Sequence, residues 1–88
     1  MSEENAVPQR QLTFGEYRVG INFNPGGHET VSEIKRRAAD LIDFIETIPA
    51  AGQSAEQARE VGRLKALAET HIEDAAMWAV KAATKPPM

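Results

Sequence analysis

Apolar residues fall two apart between Tyr17 and Phe23, and three or four apart from Val31 onward. In the first segment Tyr17, Val19, Ile21 and Phe23 lie on one side, with Arg18, Gly20 and Asn22 on the other. A period of two predicts an extended strand or arm with one buried face. A lone strand is unstable in water, so this arm must lie on something. The stretch "NPGG" ends it, because Pro25 fixes φ and the two glycines admit φ > 0. Thr30 with Glu33 then predicts a capping box. From there Val31, Ile34, Ala38, Leu41, Ile42, Ile45 and Ile48 form a helix stripe that stops before Pro49. A short loop follows, Ser54 with Gln57 predicts a second capping box, and the next stripe runs Val61, Leu64, Ala68, Ile72, Ala75 and Ala79. "KPPM" forbids further helix.

Two helices joined by so short a loop pair antiparallel. Their predicted lengths differ: about 17 residues (~25 Å) against nearly 30 (~43 Å) at the α-helical rise. The last turns, "HIEDAAMWAVKAA", are therefore expected to overhang, with Met77, Trp78 and Val80 covered by the arm and by another subunit. A second, partly apolar stripe holds Arg63, Leu67, Thr70, Asp74, Met77, Trp78 and Lys81, which also points to self-association. The predicted class is all-α: an antiparallel helical hairpin with an N-terminal extended arm, assembling into a helical homo-oligomer. Residues 1–12 are read as a flexible N-terminus, 13–27 as the extended arm and turn, and 28–85 as the hairpin domain.

Composition narrows the function. At 88 residues the chain is one small domain, which buries only about 60% of its unfolded surface. It has no cysteine, and its two histidines, His28 and His71, lack ligand spacing, so no metal site is expected. The start "MSEENAVPQRQ" has no hydrophobic signal region and no apolar run could span a bilayer. A soluble cytoplasmic protein without membrane contact is expected. The net charge of −3 argues against DNA as a partner. There is no cysteine nucleophile, no GxSxG elbow and no HExxH, so a binding protein without cofactor is expected rather than an enzyme.

Candidate residues each carry two readings. Lys35 sits on the shoulder of an apolar stripe, where it either snorkels to water or presents an ammonium to a phosphate. Phe23 is either a core residue or a π-face for a base. Arg63 pairs with Asp74 or Glu60, or with a ligand phosphate. Trp78 reads as an interface anchor and His71 as a hydrogen-bonded packing residue. Glu69, Glu73 and Asp74 read as a solvated helix face.

Two stretches, "FNPGGHETVSEIKRRAADLID" and "GRLKALAETHIEDAAMWAVKAATKP", resemble the small phage proteins that share the hairpin of anti-CBASS protein two and Thoeris anti-defence protein one. The second stretch matches best, through its Gly-Arg start, Thr70, Ile72, Met-x-Ala and the closing Ala-x-x-x-Pro. The resemblance implies a molecular sponge: a helical hexamer that binds cyclic oligonucleotide second messengers between protomers and holds them uncleaved. Implied ligands are cyclic dinucleotides such as cyclic GMP-AMP, with cyclic trinucleotides or cyclic ADP-ribose variants as further partners. It also implies site residues. Lys35 matches the family lysine that meets the cyclic dinucleotide, and Arg63 matches the arginine lining a separate trinucleotide pocket. Phe23 stands in for the tyrosine that stacks in the anti-CBASS branch, and Asn24 and Thr70 complete the set. The other reading is a helical interaction or regulatory module that binds a protein partner through Trp78 and Leu67, with no nucleotide ligand.

Overall fold

The computed structural model describes residues 11–50 and 54–88 and forms three helices, α1 (Phe14–Val19), α2 (Glu29–Glu46) and α3 (Ala55–Ala83). No strand occurs among the described residues. Most of the expected flexible N-terminus lies outside them.

Where an extended arm was expected over residues 13–27, the chain makes α1 and turns. Local chemistry explains the correction. Thr13 Oγ1 accepts the Glu16 N–H at 3.1 Å, and Glu16 Oε1 accepts the Thr13 N–H at 2.9 Å, a complete capping box. The helix stops at Gly20, which adopts φ 64°, ψ 57°. Gly20 donates to the Tyr17 carbonyl at 3.2 Å and Ile21 to the Glu16 carbonyl at 3.0 Å, the two bonds of a Schellman stop. The period of two thus straddles a change of conformation: Tyr17 and Val19 are helical, whereas Ile21 and Phe23 follow the left-handed glycine.

The helix α2 also begins earlier than expected. Its N-cap is His28 rather than Thr30, and no side chain caps it. Asn24 prepares the entry instead. Its Oδ1 accepts the His28 N–H at 3.1 Å, and its Nδ2 donates to the His28 carbonyl and to Ser32 Oγ, both at 2.9 Å. At α3 the expected cap is present, Ser54 Oγ accepting the Gln57 N–H at 3.1 Å.

Helices α2 and α3 pair antiparallel. At one end Lys65 Nζ donates to the carbonyls of Glu46 (3.2 Å) and Ile48 (2.6 Å). At the other, Val80 and Thr84 share a groove with His28 and Val31. This register reverses the expected overhang. The turns of α3 before Lys65, about 15 Å of helix, project past α2, and the last turns lie beside its start. Met77 and Trp78 are nevertheless 58% and 57% exposed, so residues 13–27 do not cover them as expected.

The buried face of α3 is rotated from the predicted stripe. Glu69 and Ala76 are its buried residues, while Leu64 is half exposed and Ala75 exposed. The reason is α1, which packs on the Ala39 side of α2 and draws α3 toward it through Arg18. Arg18 Nε donates to Glu73 at 2.6 Å, and Arg36 of α2 reaches Glu16 at 2.9 Å. Glu69, expected on a solvated face, is therefore interior. The other buried positions among the described residues are Gly15 and Glu16 on α1 and Val31, Lys35, Ala38, Ala39 and Ile42 on α2. Leu41 and Phe44 on α2, Ile48 just beyond it, and Leu64 and Leu67 on α3 stay between 43% and 67% exposed. The fold is one helix layer thick, with Cα extents of 51 × 34 × 13 Å. No helix among the described residues is long and apolar enough to cross a membrane.

Candidate functional site

A groove of about 290 Å³ opens where the start of α2 meets the end of α3. Phe23, Asn24, Pro25 and His28 form one wall, and Val31, Lys35, Val80 and Thr84 the floor and far side. The first-turn amides of α2 have no side-chain cap, so the positive end of the helix dipole is open toward this region.

Lys35 is 8% exposed, and burial lowers its pKa. The ammonium does not snorkel: it donates to the carbonyl of Gly20 at 3.0 Å and to that of Phe23, which leaves one of its three N–H groups for a further acceptor. It also lies 5.3 Å from the centre of the Phe23 ring, a cation–π distance. Lys35 thus organises the turn between α1 and α2 and holds a cation at the groove's edge. Phe23 itself is 72% exposed, so its ring is a surface and not core. On its other side a shallower hollow of about 350 Å³ is lined by Tyr17, Ile21 and Asn22 among others. Tyr17, at 67% exposed, was missed as a candidate because the two-residue period assigned it to a buried face.

The five predicted residues do not converge. Phe23, Asn24 and Lys35 come together at the groove, with the Asn24 side chain bonded to the backbone of His28 ahead of the first turn. Arg63 sits in the projecting turns of α3, some 25 Å along the helix from Val80. It makes a bidentate pair with Glu60 at 2.9 and 2.7 Å, the partner read as one of two alternatives. Thr70 Oγ1 accepts Arg18 Nη2 at 3.4 Å. His71 is exposed, and its ring has no hydrogen-bond partner among the described residues, which corrects its reading as a hydrogen-bonded packing residue. No group of three or more metal-ligating side chains occurs among the described residues.

A buried cation, an open aromatic face and an apolar floor thus meet at the start of α2 in a small helical hairpin. A family model described as the Acb2/Tad1 hairpin domain matches residues 16–84, from the first turn of α1 to the C-cap of α3, and the chain belongs to that family. Membership gives it, in broad terms, an anti-defence sponge role. No curated protein and no solved structure matches the chain.

Proposed function

We propose that this protein captures cyclic oligonucleotide immune second messengers, cyclic di- and trinucleotides, and holds them uncleaved in pockets formed between protomers, in the cytoplasm of the host cell. The observation that carries the reading is the pairing of the buried Lys35 ammonium with the exposed Phe23 ring at one groove edge. A cyclic dinucleotide presents flat bases and phosphates a few ångströms apart. Stacking contributes about 1–3 kcal/mol per base, and each charge-assisted contact to phosphate about 1.5–3 kcal/mol.

Size supports a shared pocket. The groove of about 290 Å³ falls at the lower edge of the range of roughly 300–1,000 Å³ common for ligand sites. One copy offers room for about half of a two-base ligand, and a symmetry-related copy would supply the rest. The exposed Leu41, Phe44, Ile48, Leu64 and Leu67 give such copies an apolar surface to bury, as a homo-oligomer, a hexamer in our reading, requires. Arg63 and Thr70 are then the residues of a separate trinucleotide pocket. Cyclic ADP-ribose variants are the further ligand class.

The second reading, a protein-interaction module, is favoured by the exposed Leu67, Met77 and Trp78 on α3. One experiment separates the two. The protein is incubated with cyclic GMP-AMP, freed of unbound ligand, and heat-denatured, and the supernatant is resolved by chromatography. Intact cyclic GMP-AMP in stoichiometric amount supports the sponge. Linear product would mean cleavage, and recovery of none, also for a cyclic trinucleotide and a cyclic ADP-ribose variant, leaves the interaction module as the better account.

A further inference from the structure

Where the three helices meet lies a carboxyl group that the proposed ligand site does not use. Glu69 on α3 is 3% exposed, and its Oε2 is buried with no hydrogen-bond donor among the described residues. Charged groups face it from every helix. Arg18 of α1 brings Nη1 only to 4.0 Å from Glu69 Oε1. Glu46 of α2 sets its own carboxyl against Glu69. Lys65 and Glu73 lie one turn before and one turn after it on α3.

Neither cation hydrogen-bonds Glu69. Arg18 commits Nε to Glu73 at 2.6 Å and Nη2 to Thr70 at 3.4 Å. Lys65 commits its ammonium to the carbonyls of Glu46 and Ile48. A buried carboxylate anion would draw one of them into contact, since an unpaired charge at that depth is strongly disfavoured. A neutral acid would not. Two carboxyl groups in contact cannot both ionise at little cost, and a single proton held between them satisfies the oxygen that otherwise has no donor.

We propose that Glu46 and Glu69 share one proton, and that this proton latches the C-terminal turn of α2 against α3. When the proton passes to solvent, the two carboxylates repel, Glu69 turns toward Arg18, and the end of α2 opens. Burial first, and then the Glu46 carboxyl, push the pKa of Glu69 up to about 7, which puts the latch in the neutral range. The sign follows from linkage: a carboxyl whose folded pKa stands above its unfolded value favours the closed state fully below the unfolded pKa of 4.5, and that contribution is lost as pH rises through about 7. The latch lies at the opposite end of α2 from Lys35, so it is independent of the ligand reading.

The test is a carboxyl-carbon NMR titration of the full chain, with amide exchange of residues 45–49 measured at about pH 5.5 and pH 8 and corrected for intrinsic rates. One glutamate is expected to titrate near 7 instead of 4.5. Between pH 5.5 and pH 8 the latched fraction falls from nearly one to about one tenth, and exchange through the unlatched form quickens about thirtyfold. Glu69→Gln, whose amide can donate to Glu46 as the acid does, should keep the protection seen at pH 5.5 and lose its pH dependence. Should that variant fail to fold, Glu46→Gln serves instead, with the Glu69 midpoint lowered from its wild-type value but held above 4.5 by burial. A double His28→Gln, His71→Gln variant should keep the pH effect. Ordinary midpoints for every glutamate, a pH effect surviving in Glu69→Gln, or one lost with the histidines would each overturn the proposal.

Discussion

Replacing Gly15 with alanine sets two effects of opposite sign against each other. Helix propensity favours the change by up to about 1 kcal/mol. Packing opposes it. A Cβ at residue 15 would stand 2.1 Å from the Ala39 carbonyl oxygen and 2.8 Å from Asp43 Oδ1, where ordinary contact begins at 3.4 Å. The nearest obstacle is the backbone of α2 and cannot rotate away. Helix α1 must lift by 3.4 − 2.1 = 1.3 Å or more, which breaks the 2.7 Å bond from the Gly15 N–H to Asp43. A hydrogen bond to a charged group contributes about 1.5–3 kcal/mol, and the half-exposed Arg36–Glu16 pair up to about 1 kcal/mol more. The expected net loss is therefore about 1.5–3 kcal/mol. Chemical denaturation at fixed protein concentration measures it, and amide exchange over residues 14–19 should show the loss concentrated in α1. Gly26→Ala is the control: a Cβ there meets nothing within 4 Å, and stability should move by less than about 0.5 kcal/mol. A Gly15→Ala protein as stable as wild type, or more so, would refute the packing argument.

Other outcomes follow from the same geometry. Lys35→Met keeps the aliphatic stem but leaves the Phe23 carbonyl without its donor and the Gly20 carbonyl with the Phe23 N–H alone, and should cost about 1–3 kcal/mol of stability. Phe23→Ala removes a largely exposed ring and should leave the denaturation midpoint unchanged, so the two variants separate folding from any ligand effect. Arg63→Ala breaks only an exposed pair with Glu60 and should not move the melting temperature, while weakening cyclic trinucleotide more than cyclic dinucleotide in calorimetry. Glu16 has its pKa lowered, first by the Thr13 backbone N–H and then by Arg36, against the cost of burial. Its contribution is present above the unfolded value of 4.5 and is lost as pH falls through the lowered one, so α1 should be the first helix to exchange freely in acid.

The hairpin was legible because it is written in long-range periodicity and terminal signals: Ser54 caps α3, and the antiparallel pairing follows from a short loop. Helix α1 was missed for a local reason. Its capping box, Thr13 and Glu16, lies in the sequence as plainly as that of Ser54, yet six residues are too few for a 3.6-residue period to compete with four apolar residues spaced by two. The interior place of Glu69 was not legible at all, since it depends on α1 pulling the α3 face around through Arg18. The apolar stripe predicted for α3 includes Leu64, which a single copy leaves half exposed. At the candidate site, Phe23 and Lys35 were found through their residue types. The role of Lys35 as donor to the Gly20 and Phe23 carbonyls was hidden, because it needs the left-handed turn at Gly20 to bring those oxygens within reach.

The most direct test of the ligand reading is a calorimetric titration of cyclic GMP-AMP into the wild-type protein and into Phe23→Ala at matched oligomeric state. The account predicts nanomolar binding, about −12 kcal/mol, weakened by roughly tenfold or more in the variant as base stacking is lost. No heat from cyclic GMP-AMP, from a cyclic trinucleotide or from a cyclic ADP-ribose variant would contradict it.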